Sequence, residues 1–208
     1  MESNFEIIKK DQYKKSTWSG GTTTEMFIYP NNSSYGDRDF ICRISSATVE
    51  LDKSEFTSLP DYNRILMVLK GKLILRHEGQ DPIELCELEQ DTFDGNVLTV
   101  SEGKVTDFNL MMRKGICQGN VEVIQIDEKS TLTKVFEEEK VHEFNDSADI
   151  YYNIKGTIAI SVNESENFVL ENKDLLIINR KNDKQSIIFN LYNSCEEEAL
   201  LVKTKIFY

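Results

Sequence analysis

Three arginines bring charge into otherwise apolar stretches of this sequence. Arg43 lies inside Phe40-Ile-Cys-Arg-Ile-Ser45, Arg64 opens Arg64-Ile-Leu-Met-Val-Leu69, and Arg113 closes Asp107-Phe-Asn-Leu-Met-Met-Arg113. A buried guanidinium is costly unless something pairs it, and its planar fork suits bidentate capture of a carboxylate. In an extended strand Asp107, Asn109, Met111 and Arg113 share one face, while Phe108, Leu110 and Met112 share the other. A polar face turned inward in a β-fold implies a wet or liganded cavity. Two outcomes stay open. Arg43 or Arg64 closes an internal salt bridge with Glu25 or Asp107, or a surplus of arginine over carboxylate holds an anion. Upstream, Trp18-Ser-Gly-Gly-Thr-Thr-Thr-Glu25 offers Trp18, Thr22 and Glu25 as ligand contacts on an ordered polar loop. The plainer alternative there is a turn with a capping box from Thr22 to Glu25.

Other chemistry is poorly supplied. There are two histidines. His77 follows Arg76 at a strand end and is expected to face solvent; His142 follows the acidic run 137–140, itself expected to be a solvated loop. No nucleophile motif surrounds any of the four cysteines, which are far apart with no CxxC and are expected to be reduced thiols. The Trp18–Glu25 stretch is no phosphate loop, since Gly-Lys-Ser/Thr is missing. The net charge of −12 argues against nucleic-acid partners and against docking on anionic membranes. The most apolar run, Ile65 to Leu75, is broken by Lys70-Gly71-Lys72 and is about half the ~20 residues of a membrane span. The start of the chain, MESNFEIIKKDQ, has no apolar signal core, so a cytoplasmic protein is expected.

The elements that must position these residues are short strands. Apolar runs of mostly four to seven residues, rich in β-branched and aromatic side chains, are bounded by Asn, Asp, Gly or Ser. One internal repeat organises them. Ile65-Leu-Met-Val-Leu-Lys-Gly-Lys-Leu-Ile-Leu75 aligns without gaps on Ile150-Tyr-Tyr-Asn-Ile-Lys-Gly-Thr-Ile-Ala-Ile160. Gly71 and Gly156 then supply the positive φ of a tight hairpin, and the chain reads as two copies of one β-module. The strand–Gly–strand unit resembles the cupin barrel, so two copies resemble a bicupin. In metal cupins a His-x-His precedes the hairpin, a Glu stands seven residues before its Gly, and a later His follows. Here Arg64 and Leu98 occupy the Glu and later His positions of the first module, and Asp149 the Glu position of the second. Neither copy holds a metal-ligand set on that mapping, and no cofactor is expected.

A more specific resemblance rests on Trp18-Ser-Gly-Gly-Thr22 with Glu25, Tyr29-Pro30, Phe40-Ile-Cys-Arg-Ile-Ser45, Ala47, Phe56, Pro60, Arg64, Gly71, Phe93-Asp-Gly95 and Asp107 to Arg113. Over about residues 5–125 these resemble the HutD/Ves family, associated with histidine utilisation. Where that family shows Trp-Arg-x-Ser, this chain has Cys42-Arg43-Ile44-Ser45. The resemblance implies a bicupin without known catalysis, a sensor or regulator of a small acidic catabolite such as formylglutamate.

The expectation is therefore an all-β protein of two fused cupin-like β-barrel or jelly-roll modules, residues 1–120 carrying the pocket and 121–208 mainly structural. The expected function is metal-free binding of a small anionic, carboxylate-bearing metabolite at Trp18, Thr22, Glu25, Arg43, Arg64, Asp107, Asn109, Met111 and Arg113. The alternative is a metal-independent isomerase or hydrolase using Glu25, Asp107 or His142 as base. A homodimer paired through edge strands is also expected.

Overall fold

A computed structural model of the chain describes residues 4–136, 144, 146–163, 166–181 and 187–208. His142 and the run 137–140 lie outside the described residues. Among the described residues every regular element is a β-strand, as the short β-branched runs dictate. Among the described residues no helix is long and apolar enough to cross a membrane. The chain divides into two compact units, Tyr13–Gln118 and Met1–Gln12 with Gly119–Tyr208.

The first unit pairs a six-stranded with a four-stranded sheet. The larger runs in the order Lys14–Trp18, Gly21–Tyr29, Cys42–Val49, Val105–Arg113, Tyr62–Gly71, Gln90–Asp94. The smaller runs Lys53–Glu55, Thr99–Glu102, Leu73–His77, Ile83–Leu85. Leu66, Val68, Phe93 and Val105 of the first sheet meet Leu73, Leu75 and Leu85 of the second in one core. The second unit repeats four strands of the larger sheet and all four of the smaller; Lys14–Trp18 and Gly21–Tyr29 have no counterpart there, and Asn4–Ile8 has none in the first unit. Gln118–Ile126, Ala199–Phe207, Asp146–Lys155 and Leu175–Lys181 take the places of Cys42–Val49, Val105–Arg113, Tyr62–Gly71 and Gln90–Asp94. The repeat seen in the sequence is thus a repeat of topology, and the fold is all-β with two cupin-like modules.

Three expectations need correction. The sheets are open and stacked, not closed barrels. The Lys-Gly steps are not hairpins: Tyr62–Gly71 and Leu73–His77 lie in different sheets, as do Asp146–Lys155 and Ile158–Val162. Gly71 (φ +96°) and Gly156 (φ +85°) turn corners between sheets, and a Cβ there would sit 2.8 Å from the Lys104 carbonyl and 2.9 Å from the Ala199 Cβ. Finally, residues 1–12, assigned by sequence to the first module, group with the second unit. Asn4–Ile8 pairs with Leu175–Lys181, Phe5 lies 5.9 Å from the Phe168 ring, and Lys9 binds the buried Asp174 at 2.7 Å.

Candidate functional site

Strand pairing in the six-stranded sheet fixes who meets whom. Met111 stands opposite Arg43 on one side and Arg64 on the other, so both arginines belong to one cross-strand row. The next row is Ser45–Asn109–Leu66, and Asp107 follows beside Val68. This inner face lines a cavity of about 320 Å³, together with Trp18, Thr23, Tyr35, Glu55 and Phe56.

The two arginines are satisfied differently. Arg43 donates from Nε to Glu25 Oε2 at 2.7 Å and from Nη1 to Ser45 Oγ at 2.9 Å, with its guanidinium carbon 4.6 Å from the Tyr35 ring centroid. A bulge between Glu25 and Phe27 lies just past this ion pair. This is the internal salt bridge anticipated as one outcome. Arg64 lacks such a bond. It is 3% exposed, its Nε has no hydrogen-bond acceptor, and no carboxylate lies within salt-bridge distance among the described residues. Its guanidinium is flanked by the rings of Phe56 (4.6 Å) and Phe93 (5.2 Å), contacts that hold it without using its N–H donors. Burial lowers its pKa to about 10, against the favourable charges of Tyr35 and Asp107, and Arg43 lowers it further. It remains cationic at neutral pH.

Asp107 is pushed up to about 6, chiefly by burial. The Ala47 N–H, donating to its Oδ1 at 2.9 Å, and the Arg64 charge oppose that rise. Asn109 Oδ1 is buried with no hydrogen-bond donor. An unsatisfied amide oxygen and an arginine without a carboxylate, both on one cavity wall, are what a polar ligand would complete.

Of the nine residues anticipated, Trp18, Arg43, Arg64, Asp107, Asn109 and Met111 line the cavity, and Glu25 reaches it through Arg43. Thr22 and Arg113 do not. Thr22 is exposed, because strand alternation turns its neighbour Thr23 inward instead. Arg113, at the strand end, donates to the carbonyls of Arg38 and Phe40 and to the Tyr62 hydroxyl, pinning the segment before Cys42. Tyr35 comes from a segment without strand pattern, and no sequence signal marked it. Phe56 lay within the family motif without a role. His77 is not solvent-facing but buried, bonded to Thr99 Oγ1 at 2.8 Å and Asp91 Oδ2 at 2.7 Å. Its ring lies 4.7 Å from Phe93, so it backs the aromatic under Arg64.

The residues present do not fit the metal that many cupins carry. Arg64 stands at the mapped Glu position, Leu98 is exposed, and no group of three or more His, Cys, Asp or Glu among the described residues could hold an ion.

Stacked cupin-like sheets around a cavity walled by two arginines define a cupin-like protein. The chain belongs to the HutD family, whose model matches residues 10–194. Among solved structures it is similar to a conserved protein of Pseudomonas aeruginosa PAO1, at 19% identity and TM-score 0.81, covering 98% of this chain and 99% of that one. HutD from Pseudomonas fluorescens SBW25, in its formate condition, matches at 16% identity and TM-score 0.69, covering 97% and 98%. A vicilin from Solanum melongena, described with different anionic ligands in structurally similar pockets, matches at 9% identity and TM-score 0.64, covering 96% and 84%. These identities speak to the fold. Comparison with curated proteins finds no match.

Proposed function

We propose that the Tyr13–Gln118 unit binds a small carboxylate-bearing metabolite without a metal, as a sensor or regulatory protein of the cytoplasm. The observation that carries this reading is Arg64, a buried cation facing a cavity with no carboxylate in contact among the described residues. Arg43 is already committed to Glu25, so the cavity has one guanidinium to spare. The Solanum vicilin with its anionic ligands and the Pseudomonas fluorescens HutD in a formate condition support an anion in this fold. A formylglutamate-like compound, with carboxylates for Arg64 and polar groups for Asn109, is the candidate the family suggests. Four free cysteines suit a reducing compartment.

A second reading is metal-independent catalysis with Asp107 as base. It draws on a carboxyl pushed up to about 6, a range useful for proton transfer near neutrality. His142, the other base considered, lies outside the described residues.

A thermal-shift screen of carboxylic acids, amino acids and their N-formyl or imidazole derivatives identifies the ligand. Arg64→Ala is then titrated beside Arg76→Ala, whose arginine pairs with Glu102 on the exposed surface. Loss of binding in the first alone supports the proposal. Equal affinities in wild type and Arg64→Ala, with a large fall in melting temperature, sink it. Turnover of a bound compound that disappears in Asp107→Asn favours the second reading.

A further inference from the structure

We propose that this cavity takes up a proton together with its anion, Asp107 being the acceptor; the inference rests on the carboxylate-binding reading above. Asp107 is 4% exposed and shares its sheet face with both arginines. Its one hydrogen bond through Oδ1 comes from the Ala47 N–H, and it has no salt bridge among the described residues. The charged and titratable groups around it come from every neighbouring element of the cavity. Arg64 faces it from Tyr62–Gly71, and Arg43 from Cys42–Val49, tied to Glu25 of Gly21–Tyr29. Tyr35 comes from the segment before Cys42, and Glu55 from Lys53–Glu55.

The Arg64 charge favours the ionised carboxylate, against a dominant burial cost. An anion accepted by Arg64 consumes that support. It also places a second negative charge beside the buried carboxyl, where like charges interact strongly. The least costly arrangement is anion plus protonated Asp107, the proton coming from solvent and no covalent bond to carbon changing. Asp107 then donates its O–H, to the anion or to Asn109 Oδ1, the buried acceptor that otherwise has no donor. Because the carboxyl already stands at about 6 before the anion arrives, a further rise carries it through neutral pH.

Linkage gives the sign. Below about pH 6 Asp107 is protonated with or without the anion, and affinity is highest and flat. Above that, affinity falls by up to about tenfold per pH unit, levelling where the complex itself loses the proton. The test is calorimetric titration of formate and of N-formyl-L-glutamate into the whole chain, from about pH 5.5 to about pH 8, in two buffers of unequal ionisation enthalpy. Both probes stay ionised throughout. We expect affinity falling with pH and a binding heat that differs between buffers as the gain of up to one proton requires. Asp107→Asn, which keeps an oxygen for the Ala47 N–H, is expected to lose both the fall of affinity with pH and the buffer dependence of the binding heat.

Wild-type binding that is flat with pH, or pH dependence retained in Asp107→Asn, overturns the proton uptake and leaves the carboxylate reading standing. Failure of both probes to bind at any pH overturns the two together. If Asp107→Asn does not fold, aspartate carboxyl carbon resonances of the wild type decide. A titration midpoint for Asp107 that rises with saturating probe supports the coupling, and an unmoved midpoint ends it.

Discussion

Arg64 and Asp149 stand at the same place in two copies of one module, each seven residues before the corner glycine, Gly71 or Gly156. Strand order makes them equivalents, yet one is a cation and the other an acid. Arg64 opens on a cavity and rests against the edge-packed rings of Phe56 and Phe93. Asp149 is fully buried, with Lys203 Nζ 3.8 Å from its Oδ1. The next equivalents differ too. Leu66 in the first unit corresponds to Tyr151 in the second, whose ring stacks on Phe189 at 5.7 Å within the core. The charge of Asp149, after burial itself, holds the Tyr151 hydroxyl well above the usual phenol range. The two modules present the same slot twice. A charge that meets a neighbouring side chain serves the core, whereas one facing open space with unused donors is the one we propose for a ligand.

The widest separation between the units should appear when each slot residue is truncated. Asp149→Ala empties a fully buried position beside Lys203, which keeps Glu122 at 3.0 Å, so the loss should be ~1–3 kcal/mol, below that of an orphaned buried charge. We expect a melting temperature lower by several degrees and unaltered ligand affinity, read by calorimetry on the fraction that remains folded. Arg64→Ala should do the reverse. Removing one charged partner of a buried carboxylate costs ~2–5 kcal/mol, roughly 30-fold to several-thousand-fold in affinity, with melting changed little. If both variants lose stability alike and neither affects binding, the two slots are equivalent in role as well as position, and the contrast fails.

Asp107 sharpens the contrast within the first unit, in the absence of ligand. Its folded-state value, about 6, lies above the unfolded one near 3.9. The stability it contributes is therefore fully present below about pH 4 and lost as pH rises through about 6. Above that, the buried carboxylate costs on the order of 3 kcal/mol. Asp107→Asn should thus gain stability relative to wild type between about pH 4 and pH 7 and hold that gain at higher pH. Urea unfolding across this range measures it. A constant difference between the two proteins at all pH values contradicts the desolvated carboxyl.

How far the site could be read in advance follows from strand geometry. Arg43, Asp107, Asn109 and Met111 could be grouped because a period of two puts alternate residues of a strand on one face whatever the tertiary detail. Arg64 came in through its place before the repeated Lys-Gly. The same rule failed at Arg113, since the last residue of a strand is free to bend toward whatever loop lies nearby, here Arg38–Phe40. It failed at Thr22 because the local register, not the motif, decides which of Thr22 and Thr23 faces in. His77 was misplaced because its partners Thr99 and Asp91 are long-range and invisible to local polarity. The sheet corners at Gly71 and Gly156 look like hairpins in sequence, since both need a glycine at positive φ.

Trp18 should show the smallest effect and gives the most direct view of the cavity. It is 38% exposed, at the rim, and its indole covers Gly20 so closely that a Cβ there would fall 2.1 Å from Cζ3. Little apolar surface is lost to solvent when it is removed, so Trp18→Ala should change stability by about 0.5 kcal/mol or less. Ordering by a ring edge at an open mouth is worth on the order of 1 kcal/mol, so affinity should fall only about fivefold. Trp18 is the only tryptophan of the chain, and its emission therefore reports on this rim alone. Addition of a ligand that Arg64 holds should shift or quench that emission, with the same midpoint as calorimetry. Gly20→Ala, which must push the indole off its seat, should alter the emission before any ligand is added. Binding seen by calorimetry with unaltered Trp18 emission would place the ligand deeper, against Asn109 and Met111, and reduce Trp18 to a lid over Gly20.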